Sequence, residues 1–437
     1  MRNKTSRRKF IKRSASVVAG SVVLPFIMPA DVLGRGGHLA PSDRIIMGAI
    51  GTGSQGMSNM IDFLRLGDEV RFVAVCDVDA GHLAKAKDTV DKANKSNDCR
   101  TYGDFRELLE NEKLDAVSIA LPDHWHGIIY SAAAAKKIHV YGEKPVCRTI
   151  SDGKLIVEAV RKNKIIWQTG SWQRSQEHFR RGSELVRNGR IGKIKLIEVG
   201  LPDGGRGIGT PPVKDVPPEL NWEMWLGPAP KVPYRGISHW DWRWILDYSG
   251  GQLTDWAGHH IDIANWGADL EHTGPVEISG KGVYPPEGIY NAPVEYDFSC
   301  RYENGIVMRV ANASRLKHGM GTTWYGELGW IHTDRGNILT ASDPVILEEV
   351  IGDNEIHLYK SNNHWQNFID CVRSGDQAAA PVDVAYRAIS VGLLGEIAMT
   401  TGETIAWDPV KEEITGNQRA SRLLSRPYRQ PWTIPTI

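Results

Sequence analysis

One stretch near the start of the chain restricts its fold more than any other. Arg44-Ile45-Ile46-Met47-Gly48-Ala49-Ile50 reads as a strand buried on both faces, and Gly51-Thr52-Gly53-Ser54-Gln55-Gly56 follows it without a spacer. Strand, tight turn and helix in that order open a dinucleotide-binding βαβ unit. Gly51 permits the turn, Gly53 lets the backbone approach a pyrophosphate, and Gly56 allows close helix packing. The helix N-terminus, Ser54 and Gln55, then faces the anion. A second apolar run, Val70–Cys76, ends at Asp77, 21 residues beyond Gly56, where an acid can bind ribose hydroxyls. Asp77 favours NAD over NADP, because a carboxylate repels a 2′-phosphate and Val78, Asp79 and Ala80 supply no arginine.

The alternation continues with a helix at 105–110, a strand at 116–120, a helix at 125–136, a strand at 139–141, a helix at 152–162 and a strand at 165–169. This predicts an α/β fold: a doubly wound parallel Rossmann sheet over 43–172. Such sheets place ligands at the carboxyl ends of their strands, so Pro122 and His126, after one strand, and Glu143 and Lys144, after the next, should border the cofactor. At 437 residues the chain is too long for one ordinary core, and 173–437 is expected to form a second α/β domain with a large, mostly antiparallel sheet.

Zero formal net charge gives no electrostatic footprint for nucleic acid, and no apolar run after the first thirty residues could cross a bilayer. The N-terminus itself reads as a twin-arginine export signal over 1–30: Ser6-Arg7-Arg8-Lys9-Phe10-Ile11-Lys12 precedes an apolar, small-residue stretch at 15–30. A periplasmic protein, folded before export, is the expectation. Five cysteines without CxxC spacing indicate neither a zinc site nor a disulfide framework, and no ligand cluster points to a catalytic metal.

Glu143-Lys144-Pro145, the strand-end segment 120–126, and Gly250-Gly251-Gln252-Leu253-Thr254-Asp255-Trp256-Ala257-Gly258-His259 together resemble the Gfo/Idh/MocA oxidoreductases. The resemblance covers nearly everything after Asp43. It implies a Rossmann domain followed by an open-faced α/β domain that commonly oligomerises, here as a dimer or tetramer, and it implies catalytic roles for Lys144, Asp255 and His259. The residue types suit that chemistry. Asp255 and His259 are one helical turn apart, so the carboxylate can orient the imidazole and raise its basicity, while Lys144 can bind the same substrate oxygen. His260 points about 100° away from His259 on a helix and is the decoy.

Arg174 and Gln173, after the last Rossmann strand, look like family positions lining the substrate, Arg174 binding either an acidic or hydroxylated substrate or a neighbouring carboxylate. Asp262 either contacts substrate or holds its helix. The stretch 201–248 is irregular and rich in Trp. Trp222 and Trp225 read as packing anchors, and Trp242 is a candidate for the substrate wall. The expected activity is transfer of a hydride between NAD and a hydroxyl carbon of a small-molecule carbohydrate, whether sugar, glycoside or polyol, with the cofactor tightly held and recycled. Two rivals remain: a redox-neutral, NAD-dependent glycosidase, and a dinucleotide-bound sensor without catalysis.

Overall fold

A computed structural model describes residues 40–435 except 206 and 238, so the stretch expected to be an export signal lies outside the described residues. Six short strands form the first sheet: β1 (Ile45–Ile50), β2 (Val70–Cys76), β3 (Arg100–Tyr102), β4 (Ala116–Ile119), β5 (His139–Gly142) and β6 (Trp167–Thr169). Their order is β3-β2-β1-β4-β5-β6, with every neighbouring pair parallel. The order reverses between β1 and β4, and the crevice outside their carboxyl ends is where such a sheet binds ligands. The crossover helices are α1 (Ser54–Leu64), α2 (Ala80–Asn94), α3 (Phe105–Asn111), α4 (His126–Ala135) and α5 (Ile150–Asn163). Because helices cover both faces, strands such as β4 are buried at every residue, which is why they read as continuous apolar runs.

After α6 (Glu177–Arg187), a nine-stranded sheet assembles from β7 (Ile194–Leu201), β8 (Glu277–Val283), β9 (Glu295–Arg301), β10 (Val307–Asn312), β11 (Gly321–Gly326), β12 (Trp330–Asp334), β13 (Ile338–Ala341), β14 (Ile405–Asp408) and β15 (Glu413–Thr415). Its order is β13-β12-β11-β7-β10-β9-β8-β14-β15, antiparallel except for β7 beside β10. One face packs against α6, α7 (Gly251–Ala268) and α9 (Val382–Thr401), while the other is half exposed and carries Arg309 paired to Asp297 and Glu198. The chain then crosses back. Phe368 and Ile369 of α8 (His364–Ser374) complete the core on one face of the first sheet, beside Phe63 and Phe72.

Strands β11 and β12 form a hairpin with a tight turn in which Gly326 N–H donates to the Gly329 carbonyl at 2.8 Å. An apolar run interrupted by Gly-Glu-Leu-Gly is a hairpin signal. The irregular 201–248 stretch has its own small core. Trp222 and Trp225 stack 4.7 Å apart, Trp225 meets Tyr248 edge-on, and Trp244 stacks on Tyr290, so these rings act as packing anchors.

Candidate active site

The first turn after β1 is shaped by what glycine lacks. Gly51 has φ +81°, and a Cβ there would stand 2.1 Å from the Ala120 carbonyl oxygen. At Gly56 a Cβ would meet the Gly51 carbonyl oxygen at 1.9 Å, so α1 can approach the strand only with glycine here. Gly53, the residue before α1, is different: its nearest neighbour would be the His82 ring at 3.7 Å, and the space in front of the helix N-terminus is open. That opening belongs to a cleft of about 280 Å³, which Ser54, Gln55 and Pro122 also line. Asp77 stands at its edge. Its Oδ2 accepts from Thr52 N–H at 2.6 Å and its Oδ1 from Asp79 N–H at 2.9 Å. Burial opposes its charge, but His82 and these backbone donors hold the carboxyl below its ordinary range. An open helix N-terminus for a pyrophosphate and an ionised acid for a ribose are what NAD needs.

The far end of the cleft brings the two sheets' helices together. Lys144 Nζ donates to Asp255 Oδ1 at 2.8 Å, and both side chains are mostly buried. A Cβ on Gly258 of α7 would lie 3.1 Å from Lys144 Cβ, so the glycine one turn along lets Lys144 lie close against the helix. Arg243 Nε is 4.0 Å from the same Asp255 oxygen. Beside them Glu143 accepts from Asn59 Nδ2 at 2.9 Å, and Gln55 donates in turn to Asn59, tying α1 to the end of β5. His259 is buried next to Trp172 and Trp256, and its Nδ1 has no partner among the described residues.

Against the oxidoreductase family models, residues 45–171 match the NAD-binding Rossmann fold and residues 206–434 match the C-terminal alpha/beta domain. The chain belongs to the Gfo/Idh/MocA oxidoreductases. It is 30% identical to the myo-inositol 2-dehydrogenase of Thermotoga maritima over 382 residues, 83% of this chain and 99% of that one. A glycosyl hydrolase family 109 protein of Stenotrophomonas maltophilia is 30% identical over 212 residues, 46% of this chain and 43% of the other. Among solved structures, the WlbA dehydrogenase from Bordetella pertussis in complex with NADH and UDP-GlcNAcA shares the fold, with a TM-score of 0.61 and 17% identity over 84% of this chain and 99% of that one. The Rossmann domain is therefore an NAD-binding one.

Within this Gfo/Idh/MocA frame several expected roles change. Asp255 does not orient His259: its carboxylate turns to Lys144, a full positive charge, in preference to a neutral ring. Nor is His259 made more basic. Burial first, then Lys144 and Arg335, push its proton affinity well below the ordinary value. His126 is not on the cofactor wall. It is fully buried, with Nδ1 2.6 Å from the Pro145 carbonyl and Nε2 3.0 Å from that of Leu121, so it clamps the two strand-end loops together. Arg174 and Asp262 are not substrate contacts. The guanidinium makes Nε–Oδ2 and Nη2–Oδ1 bonds of 2.6 and 2.9 Å to Asp262 and reaches Glu271 at 2.8 Å, and Arg174 is only 3% exposed. Gln173 is completely buried and faces His260 and Arg335, away from the cleft. His260 is packed on Trp256.

Trp242 does line the cleft, and Arg243 lies over its ring at 4.5 Å. Sequence reasoning passed over Arg335 and Asn59, which no local pattern marks. Arg335 sits 4.6 and 4.3 Å above the rings of Trp172 and Trp256, and buried Asp123 accepts from Ser249 Oγ at 2.5 Å.

Proposed function

We propose that this chain is an NAD-dependent dehydrogenase of a sugar, glycoside or polyol, exported to the periplasm through the twin-arginine route, with its cofactor tightly held and recycled. The Lys144–Asp255 pair at the inner end of the cofactor cleft is the observation that carries this reading. Bound NAD supplies a hydride acceptor for the carbon bearing the substrate hydroxyl. Lys144, oriented by Asp255, donates to the hydroxyl oxygen and stabilises charge developing there. His259, kept neutral by burial and by the cations around it, is able to take the hydroxyl proton at neutral pH, and Trp242 offers an apolar wall for a sugar ring. Oxidation of a glycoside would give its 3-keto form. The half-exposed face of the nine-stranded sheet is the surface for a homodimer or homotetramer.

The match to a glycosyl hydrolase family 109 protein favours a second reading, in which transient oxidation by NAD labilises the neighbouring C–H, the aglycone leaves by elimination, water adds to the unsaturated ketone, and return of the hydride re-reduces the ketone and regenerates NAD. Denaturing the purified protein and assaying released NAD(H), then incubating native protein with inositols, free sugars and aryl glycosides, separates the two. Bound NAD(H) whose redox state follows keto-sugar formation supports the dehydrogenase. Free aglycone without net redox change supports the hydrolase, and no reaction with any polyol overturns both.

A further inference from the structure

Away from the hydride-transfer centre, three side chains from two parts of the chain converge at the mouth of the cofactor cleft. Asp79 caps α2, His82 lies in its first turn, and His239 comes from the irregular 201–248 stretch. That stretch is docked here by backbone bonds: Ala80 N–H donates to the Glu219 carbonyl at 2.8 Å and Asn221 N–H to that of Val78 at 2.9 Å. Asp79 Oδ1 accepts from Gly81 and His82 N–H, so its orientation is fixed and Oδ2 remains, 3.2 Å from His239 Nε2. The two imidazole rings are 4.6 Å apart, and one donor atom from each of the three residues lies within 4.8 Å of the others.

A tetrahedral zinc site with bonds of about 2.0–2.1 Å has donors roughly 3.3 Å apart. The Asp79–His239 edge already has about that length. The remaining closure is roughly 1.5 Å or less on the same geometry, within reach of ring rotation at a half-buried and an exposed histidine. His82 Nδ1 also lies 3.8 Å from Asp77 Oδ2, so a second carboxylate stands beside the cluster, as it does behind many metal-bound histidines. Among the described residues the ion partners of Asp77 and Asp79 are these histidines alone, with no lysine or arginine to satisfy the charge.

We propose that Asp79, His82 and His239 bind a divalent transition metal, with Zn²⁺ the best match to two imidazoles and one carboxylate. The ion pins the 201–248 stretch to the Rossmann domain beside Gly53, and so slows release of the dinucleotide. This site does not depend on which hydroxyl the enzyme oxidises.

Chelator-treated full-length protein dialysed against buffered Zn²⁺ is expected to take up one equivalent, and none of Mg²⁺ at the same concentration. His239→Gln removes an exposed ligand and Asp79→Asn keeps the helix cap, so both should fold with an unchanged thermal melt and bind Zn²⁺ at least about tenfold more weakly. No uptake by the wild type, or equal uptake by both variants, overturns the site. Loss of fluorescence from bound NADH on mixing with excess NAD should be several-fold slower with Zn²⁺ in the wild type and unaffected by it in His239→Gln. Equal release with and without the ion overturns the pin.

Discussion

Replacing Arg174 with methionine separates a substrate-binding arginine from a structural one. The side chain is 3% exposed, makes two bonds to Asp262 and one to Glu271, and lies 4.9 Å from the Trp266 ring centre. Methionine fills most of the volume but leaves the Asp262 carboxylate, 1% exposed, without its cation. Breaking a buried pair by removing one partner costs about 3–5 kcal/mol. A cooperative unit of a few hundred residues unfolds with an entropy of about 0.5–0.8 kcal/mol/K, so the melting temperature should fall by roughly 4–10 °C. Adding Asp262→Asn should restore part of the loss, because the uncompensated charge is gone and Glu271 keeps Arg187 at 3.9 Å. That coupling should exceed about 1 kcal/mol in a double-mutant cycle. Differential scanning calorimetry reads the melt, and NADH absorbance with the best substrate reads KM. An unchanged melt with a KM raised tenfold would refute the structural assignment.

Gly53→Ala should weaken NAD binding with little change in stability, because its Cβ makes only ordinary contact with the His82 ring and otherwise enters the cleft, whereas Gly51→Ala should lower the melting temperature, having both φ +81° and a carbonyl in the way. Titration with NAD and thermal melts of the two variants check this, and equal effects would contradict the cleft geometry. The five cysteines are free and buried, and burial pushes the Cys99 thiol up to about 12 and raises the others, so native protein should be silent to an aromatic disulfide reagent until it is unfolded. For the base, the sign follows from the depressed proton affinity of His259: it loses its proton at a lower pH than a free imidazole, so log kcat/KM should stay level as pH falls through 6.5 and drop only below it. Lys144→Met should lower kcat by at least about 10²-fold and move that inflection upward, since the cation that depresses His259 is gone. An inflection left in place would mean that Lys144 does not act on the base.

The Rossmann half was legible because its signals are local. An apolar run, a glycine turn and an acid at the end of the next strand each report on a backbone within a few residues, and β1, α1 and β2 form where those signals stand. The 80–94 helix escaped notice because its apolar face is thin, with only Ala86 and Val90 among its buried apolar residues. The site was legible at the level of residue type and less so in its pairing. Four-residue spacing puts Asp255 and His259 on one face but does not say which neighbour the carboxylate will choose, and a lysine from β5's end outcompetes a neutral ring. Arg174 sits at the end of a Rossmann strand, where ligand contacts are expected, yet its partner lies 88 residues further along the chain and no local pattern points there. His239 meets Asp79 only because the 201–248 stretch returns to the first domain.

The charges around Asp255 also give the centre a direction. Burial alone would raise its carboxyl, but Lys144, Arg243 and Arg335 together hold it below the ordinary range, and Lys144 and Arg335 act on His259 as well. The two other buried carboxyls beside it move the opposite way: burial raises Glu143, and it carries Asp123 up to about 7. Three cations thus act on the ionised Asp255 carboxylate where its side chain is mostly buried, and a charge acts more strongly there than at the surface. Positive potential of that kind favours a substrate oxygen that is becoming an alkoxide, and it disfavours a proton settling on His259 before one is offered. Lys144 alone could bind an oxygen equally well in both states. The attraction of the neighbouring cations for the oxygen grows as the O–H bond breaks and charge develops on it, and only an interaction that grows toward the transition state raises the rate.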